Sequence, residues 1–311
     1  MELATAPGRR LTIAGTCLAV AAAALLALPG LTGAQAAAPA KAPVARLAAA
    51  STPEGTYWHT RVLSRRDNFR QVGSRANPYW VVEQDLTEQW NTTDGRSWIG
   101  FREAGAYPKS DKDREAWRRD GSPARWTRDV VGQTVVLSTR PTRGHVTPVR
   151  GQSTKFFLVG QYLTYEEVQR LPADPAALKA WLTKAAQVRG GGDDTGSFIA
   201  GLLPDLLYRL PAPKEVRAAA YQVLLTLPGV HAEGAARDDL GRNGTALSID
   251  QRQATGPKAE RGKITRRLII DTADMVLLSN VHKVERPGND NIELVLHAGW
   301  TNAAPAVPAL P

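Results

Sequence analysis

The residues able to do chemistry are few and scattered. The 311-residue chain carries five histidines (His59, His145, His231, His282 and His297) and one cysteine, Cys17. No two histidines have the His-x-x-x-His spacing that would aim both at one zinc ion from a helix face, and none neighbours the cysteine. His59, His231, His282 and His297 fall within expected strands, where the polar face is a histidine's default place. No Gly-x-Ser-x-Gly elbow, and no Ser-x-x-Lys with a following Lys-Thr-Gly, presents a serine nucleophile. Gly190-Gly191-Gly192 lacks the Lys-Ser/Thr of a phosphate loop, and Asp193-Asp194 lacks the alternating spacing of a calcium loop, so the run reads as a linker between helices. Two acidic pairs have structural explanations. Glu166/Glu167 opens a helix, where negative charge offsets the dipole, and Asp238/Asp239 sits in a hairpin turn. The expectation is no catalytic residue, no metal ligand and no cofactor.

Tryptophan is the remaining signal. Of 8 in the chain, Trp58, Trp80, Trp90, Trp98 and Trp300 lie in expected strands. On one face of a curved sheet, Trp58, Trp80, Val82, Leu86, Trp90 and Trp300 would line an apolar groove for an acyl chain or a partner's peptide. The alternative is that these large side chains fill the interface between sheet and helices.

The elements that would position them come in three blocks. In the first, Trp58, Thr60 and Val62 alternate along one strand, and Trp80, Val82, Leu86 and Trp90 alternate along another, interrupted by Gln84 and Glu88. Thr92 to Arg96 is a turn, and Ser97 to Phe101 returns as a strand. From Glu103 to Asp129 the chain is polar, basic and turn-rich, and reads as outward loops. The second block, 163–228, is helical. Thr164 with Glu167 has capping-box spacing, Asp174 caps ahead of Pro175, Pro204 bends an apolar helix, and Pro213 opens the last one. In that last helix Val216, Ala220, Val223, Leu224 and Leu227 form an apolar stripe that needs a surface beneath it. The third block is β again, ending with Ile292, Leu294, Leu296, Ala298 and Trp300 on one face. Strands, helices, then strands with short hairpins predict an α+β domain with an antiparallel sheet and the helical segment packed on one face.

The chain opens with Arg9-Arg10, an apolar run, and Ala34-Gln35-Ala36, the pattern of an export signal cleaved after Ala36. Leu11 to Leu28 is 18 residues, enough to cross a bilayer at ~1.5 Å per residue, so retention as an anchor is the other reading. Cleavage would discard the one cysteine. The organisation that follows is a signal or anchor over 1–36, an Ala/Pro-rich linker over 37–55, one domain over 56–302, and an Ala/Pro tail over 303–311. Removing Glu2, Arg9 and Arg10 with the signal lowers the net charge only from +9 to +8. For an exported chain of that sign the natural partners are lipid headgroups, an anionic wall polymer or an acidic envelope protein rather than nucleic acid.

The run Leu171 to Leu182, then Arg217-Ala218-Ala219-Ala220-Tyr221, Leu227-Pro228-Gly229-Val230, Gly241-Arg242-Asn243-Gly244 and Leu268-Ile269-Ile270-Asp271, resembles an uncharacterised family of exported or single-pass actinobacterial proteins over about 160–285. The sheet pattern is similar to the lipoprotein-carrier half-barrels and to the periplasmic sigma-factor regulatory proteins of that architecture. The resemblance implies a half-barrel-like sheet, brings no catalytic residues, and is broken at Ala273-Asp274, where a Thr-Gly turn is usual. Together these readings predict a non-enzymatic extracytoplasmic domain that binds or senses an apolar ligand or a partner's peptide. Its alternatives are an interaction partner in sigma-factor-linked envelope signalling, docking through its basic surface, and a secreted hydrolase. Intact mass of the exported protein checks the address: processing gives a chain beginning at Ala37, and retention leaves Cys17 in the membrane fraction.

Overall fold

A computed structural model describes residues 53–67, 71–130, 133–150, 155–188, 194–252, 263–284 and 290–311. The export segment, most of the linker and the Gly190–Asp193 run lie outside these residues. Among the described residues no helix is long and apolar enough to cross a membrane.

Period-two patterning in the first block builds β1 (Tyr57–Asp67), β4 (Val81–Asn91) and β5 (Ser97–Pro108). Between β4 and β5 the turn is closed by the Thr92 N–H, which donates to the Arg96 carbonyl, and by the Gly95 N–H, which donates to that of Thr92. The last block supplies β11 (Val230–Arg237), β12 (Asn243–Arg252), β13 (Lys263–Asp271), β14 (Val276–Val284) and β15 (Asn291–Thr301). With β8 (His145–Val149) they form one nine-stranded antiparallel sheet in the order β11-β12-β13-β14-β15-β1-β4-β5-β8. β11 and β8 are its free edges, so the sheet is not closed into a barrel. Its middle joins the first strand to the last: Trp58 pairs with Trp300, Leu63 with Leu294, and a bulge at Arg61/Val62 sets His297 opposite Arg61 and Val295 opposite Val62.

Residues 103–129 depart from the expected outward loops. β5 continues to Pro108, and α1 (Asp111–Arg119) follows, capped by the Ser110 hydroxyl, which accepts from the Asp113 N–H. Its arginines hid an amphipathic period in which Ala116 is buried and Trp117 packs inward. Then β6 (Arg125–Val130) and β7 (Gln133–Ser138) pair as a separate hairpin. Two more small hairpins, β2 (Val72–Ser74) with β3 (Asn77–Tyr79) and β9 (Phe156–Leu158) with β10 (Gln161–Leu163), complete the strands among the described residues.

The helical block starts and stops where its caps lie. The Thr164–Glu167 capping box opens α2 (Tyr165–Gln169). Asp174 accepts from the Ala177 N–H at the start of α3 (Pro175–Val188). Asp194 caps α4 (Thr195–Leu202), and Pro204 turns the chain into a 3-10 segment, Leu203–Leu207. Pro213 precedes α5 (Lys214–Leu224). Leu178 and Leu182 of α3 and Val216, Ala220 and Leu224 of α5 are completely buried against Leu247 of β12, Leu268 and Ile270 of β13 and Leu277 of β14. The helical segment thus covers one face of the sheet, the arrangement expected from its apolar stripe. Arg266 is buried under it, donating to Asn280 Oδ1 at 2.7 Å and to the Gly201 carbonyl, while Asn280 donates to Glu293 at 2.7 Å.

On the opposite face the β11–β12 connection folds inward. Asp238, its side chain fully buried, pairs with Arg242 at 2.6 Å. The same guanidinium donates to the carbonyls of Val295 at 2.7 Å and Leu278 at 2.9 Å. Breaking a pair with a buried partner leaves an uncompensated charge. Arg242→Ala should therefore cost ~3 kcal/mol in urea unfolding, whereas Arg96→Ala, which breaks the solvent-exposed pair with Asp94, should cost less than about 1 kcal/mol.

Candidate functional site

Strand alternation decides which side chains can share a site. Trp58 stands on the helix-covered face, where its indole N–H donates to the Tyr208 carbonyl at 3.1 Å and its ring meets Trp300 edge-on at 5.7 Å. Trp300 in turn meets Tyr165 at 5.9 Å. Both rings are engaged by protein, so the sheet–helix interface is filled by them. Leu86 and Trp90 of β4 point the other way, together with Val82 of the same parity. Leu86 is packed between Leu63 and Leu294, and Val82 lies opposite Asp67 and Tyr107. Trp80 sits between β3 and β4, its N–H donating to Asp113 at 2.8 Å. The six residues expected to line one groove are therefore divided between two faces. A single even-numbered pattern read across separate strands cannot show which face of each strand is turned to the helices.

The helix-free face of β15, β1, β4 and β5 brings Trp90, one of the expected groove residues, together with residues the sequence left without a role. His59 stacks on Trp90 with centroids 4.8 Å apart and planes at 11°, and lies 5.1 Å from the ring of His297. His59 Nε2 is 2.7 Å from a Glu88 carboxylate oxygen, and Arg61 approaches the other oxygen at 3.4 Å. Glu88 is only 5% exposed, so the histidine and the arginine are what make its burial tolerable. Beyond Trp90, register places Trp98 and then Gly100 of β5 on this face, opposite Trp90 and Glu88. Tyr57 meets Trp98 edge-on at 5.8 Å. The result is a floor of Tyr57, His59, Trp90 and Trp98 with two arginines, Arg61 and Arg102, beside it.

Residues 303–311, which form neither helix nor strand, pass over that floor and meet it at Pro308 and Ala309. Pro308 is the buried residue among them. A Cβ on Gly100 would come within 3.1 Å of Cγ and Cδ of Pro308 and of Cζ3 of Trp90, so the missing side chain is what lets the proline ring down onto the sheet beside the indole. Arg61 donates to the Ala309 carbonyl at 2.5 Å and Arg102 to the Pro308 carbonyl at 3.1 Å. Arg102 is itself held by the Thr142 carbonyl at 2.9 Å. The Ala/Pro tail is thus a seated segment, held at Pro308 and Ala309. The signal that would have found it is the spacing Pro305, Pro308, Pro311, three apart, the period of a polyproline II helix.

A second concavity, a cleft of about 640 Å³, opens between β4–β5 and the β6–β7 hairpin. Glu83, Asp85, Glu103, Arg66, Arg125 and Arg140 lie along it. Asp85 is buried, which pushes its carboxyl above the usual range, and Arg66 at 2.6 Å pulls the other way. Acids and arginines balance there, and the lining offers no aromatic platform. Among the described residues no group of three His, Cys, Asp or Glu is placed to hold a metal ion.

Compared with family models, curated proteins and solved structures, the chain matches none of them.

Two histidines give the fold a pH dependence of defined sign. Burial lowers His282, with Arg266 adding to it against Glu293. Burial and then His59 lower His297 against the Gly299 hydrogen bond and Glu88. Both bind protons less readily folded than unfolded, so their contribution is complete above 6.5, the unfolded value, and is lost as pH falls through and below it. Urea midpoints should drop between about pH 7 and 5.5, and a double His282→Gln, His297→Gln variant should show a flatter profile over that window.

Proposed function

We propose that the chain is a non-enzymatic extracytoplasmic binding or sensing domain of the cell envelope that captures an extended peptide of a partner protein on the helix-free face of its sheet. The observation that carries this reading is the seating of 303–311, in which two sheet arginines donate to backbone carbonyls rather than to side chains. Such donors read the presence of an extended chain, and the aromatic floor supplies the apolar contact. The engagement of Trp58 and Trp300 by protein atoms favours a peptide over an acyl chain as ligand.

In this reading the sheet is curved like a half-barrel, and the chain takes its place beside the lipoprotein-carrier and sigma-factor regulatory proteins that it resembles in sequence. Support comes from the β11–β12 connection. Its Asp239 meets Arg65 of β1 at 3.4 Å, although β12 and β1 are four strands apart, a span of roughly 19 Å on a flat sheet at ~4.8 Å per strand. Export places the face outside the cytoplasm, in solution or held to the outer side of the membrane.

The alternative partner, an acidic envelope protein or wall polymer docking through basic surface, is favoured by the last turn of α1, on which Arg118 and Arg119 are exposed. Salt separates the two, since exposed charge is screened within ~10 Å at 0.1 M whereas a buried proline contact is not. A photo-reactive residue at position 297, in the full chain expressed in its own host, is expected to label one extended segment of one envelope protein, at low and high salt alike. Stoichiometric lipid in the purified protein, with adducts to lipid alone, would overturn the reading.

A further inference from the structure

Resting on the peptide-binding reading, we infer that the ligand is a proline-spaced peptide, Pro-x-x-Pro, and that residues 305–311 occupy its site in cis until such a peptide displaces them.

The spacing comes first. The segment reads Pro305-Ala306-Val307-Pro308-Ala309-Leu310-Pro311. At three residues per turn its prolines fall on one edge of a polyproline II helix, and no internal hydrogen bond is lost by their missing N–H groups. Burial follows that edge at its first two prolines: Pro308 is buried and Pro305 half-buried, while Pro311 is exposed and Val307 and Leu310 are 42% and 40% exposed. Apolar contact alone would have turned valine and leucine inward. The surface selects the proline ring, because the space over Gly100 is shared by Cγ and Cδ of Pro308 and the edge of the Trp90 indole, each 3.1 Å from where a Cβ would stand.

Polar recognition is of the same kind. Proline leaves the carbonyls of an extended chain without internal partners, and those of Pro308 and Ala309 are met by Arg102 and Arg61. Both donors are held by neighbouring groups, Arg102 by the Thr142 carbonyl in the connection before β8 and Arg61 by Glu88 of β4. Little side-chain freedom is lost on binding, and a proline-rich chain loses little of its own. None of these contacts depends on the covalent connection to β15, so a second peptide of the same spacing meets the same surface. Occupancy in cis sets the competition: the tethered segment is present at the millimolar effective concentration of a short link, which an incoming peptide must exceed or outbind.

The probe is the synthetic peptide Pro-Ala-Val-Pro-Ala-Leu-Pro carrying a fluorophore, titrated into the full-length chain. Pro308→Glu, which loosens the seated segment, should bind it at least tenfold more tightly than the unaltered chain. Adding Arg61→Gln and Arg102→Gln to that variant should lose the gain, as should Trp90→Ala, with thermal melts confirming that each variant is folded. A peptide with its prolines replaced by alanine should bind at least tenfold more weakly. Equal affinity of Pro308→Glu and the unaltered chain would overturn the cis occupancy. Equal affinity for the alanine peptide would overturn the proline class while leaving peptide capture standing. Failure of any peptide to bind any folded variant would overturn the inference outright, and the position-297 labelling decides the broader reading independently.

Discussion

The pairing of β1 with β15 holds the molecule together. Without it the nine strands would fall into β11–β15 on one side and β1, β4, β5 and β8 on the other, each with a long unpaired edge. The register from Tyr57–Thr301 to Arg66–Asn291 sets which side chains of the two halves meet. Val62 and Val295 go under the helices, and Leu63, Leu86 and Leu294 form a small core on the other side. The bulge opposite Arg61 keeps both requirements satisfied. It takes up one residue of β15 between His297 and Val295, so the stretch containing His297 keeps its ring beside His59 while Val295 still points to the helices. A slip of one residue would exchange the two faces.

The two faces are built on different principles. The helix-covered face is dominated by close-packed apolar side chains, with the Arg266–Asn280–Glu293 network as a polar inclusion in which each named member has a partner. The helix-free face is mixed. Its buried carboxylates, Glu88 and Asp238, are each neutralised by neighbours that also serve another purpose. Arg242 ties a loop to two strands, and Arg61 holds a carbonyl of the overlying segment. Charge is retained on that face because it organises backbone that is not part of the sheet, a task apolar packing performs with less directional control.

Much of the architecture was legible because local signals and tertiary needs agree. The capping box at Thr164, the Asp174-Pro175 start, the bend at Pro204 and the stripe on α5 appear in the fold where their chemistry places them. The strands on either side of Thr92–Arg96 do too. α1 was obscured because Arg114, Arg118 and Arg119 dominate its composition, while the feature that makes it a helix is the Ser110 cap with one buried alanine. The site was less legible. Trp58 and Trp90 both lie in alternating strands, and only tertiary packing, Trp58 against Tyr208 and Trp300 and Trp90 against His59, determines that one faces helices and the other does not. Gly100 and Pro308 have meaning only together. Separately, they read as a strand glycine and a tail proline.

The sheet ends in two strands that discourage addition. β8 has five residues and carries Pro148, which has no N–H to offer a further strand. β11 is exposed along most of its length, is bulged between Ala232 and Gly234, and bears the Glu233–Arg267 ion pair. Both are ways in which sheets avoid growing into fibrils. They also remove the simplest means by which a sheet captures a foreign strand, hydrogen-bonded extension of its edge. A chain so protected leaves the helix-free face of its sheet as the place where another polypeptide can be held, and a segment rich in proline suits that face because it has few N–H groups for a ladder to use.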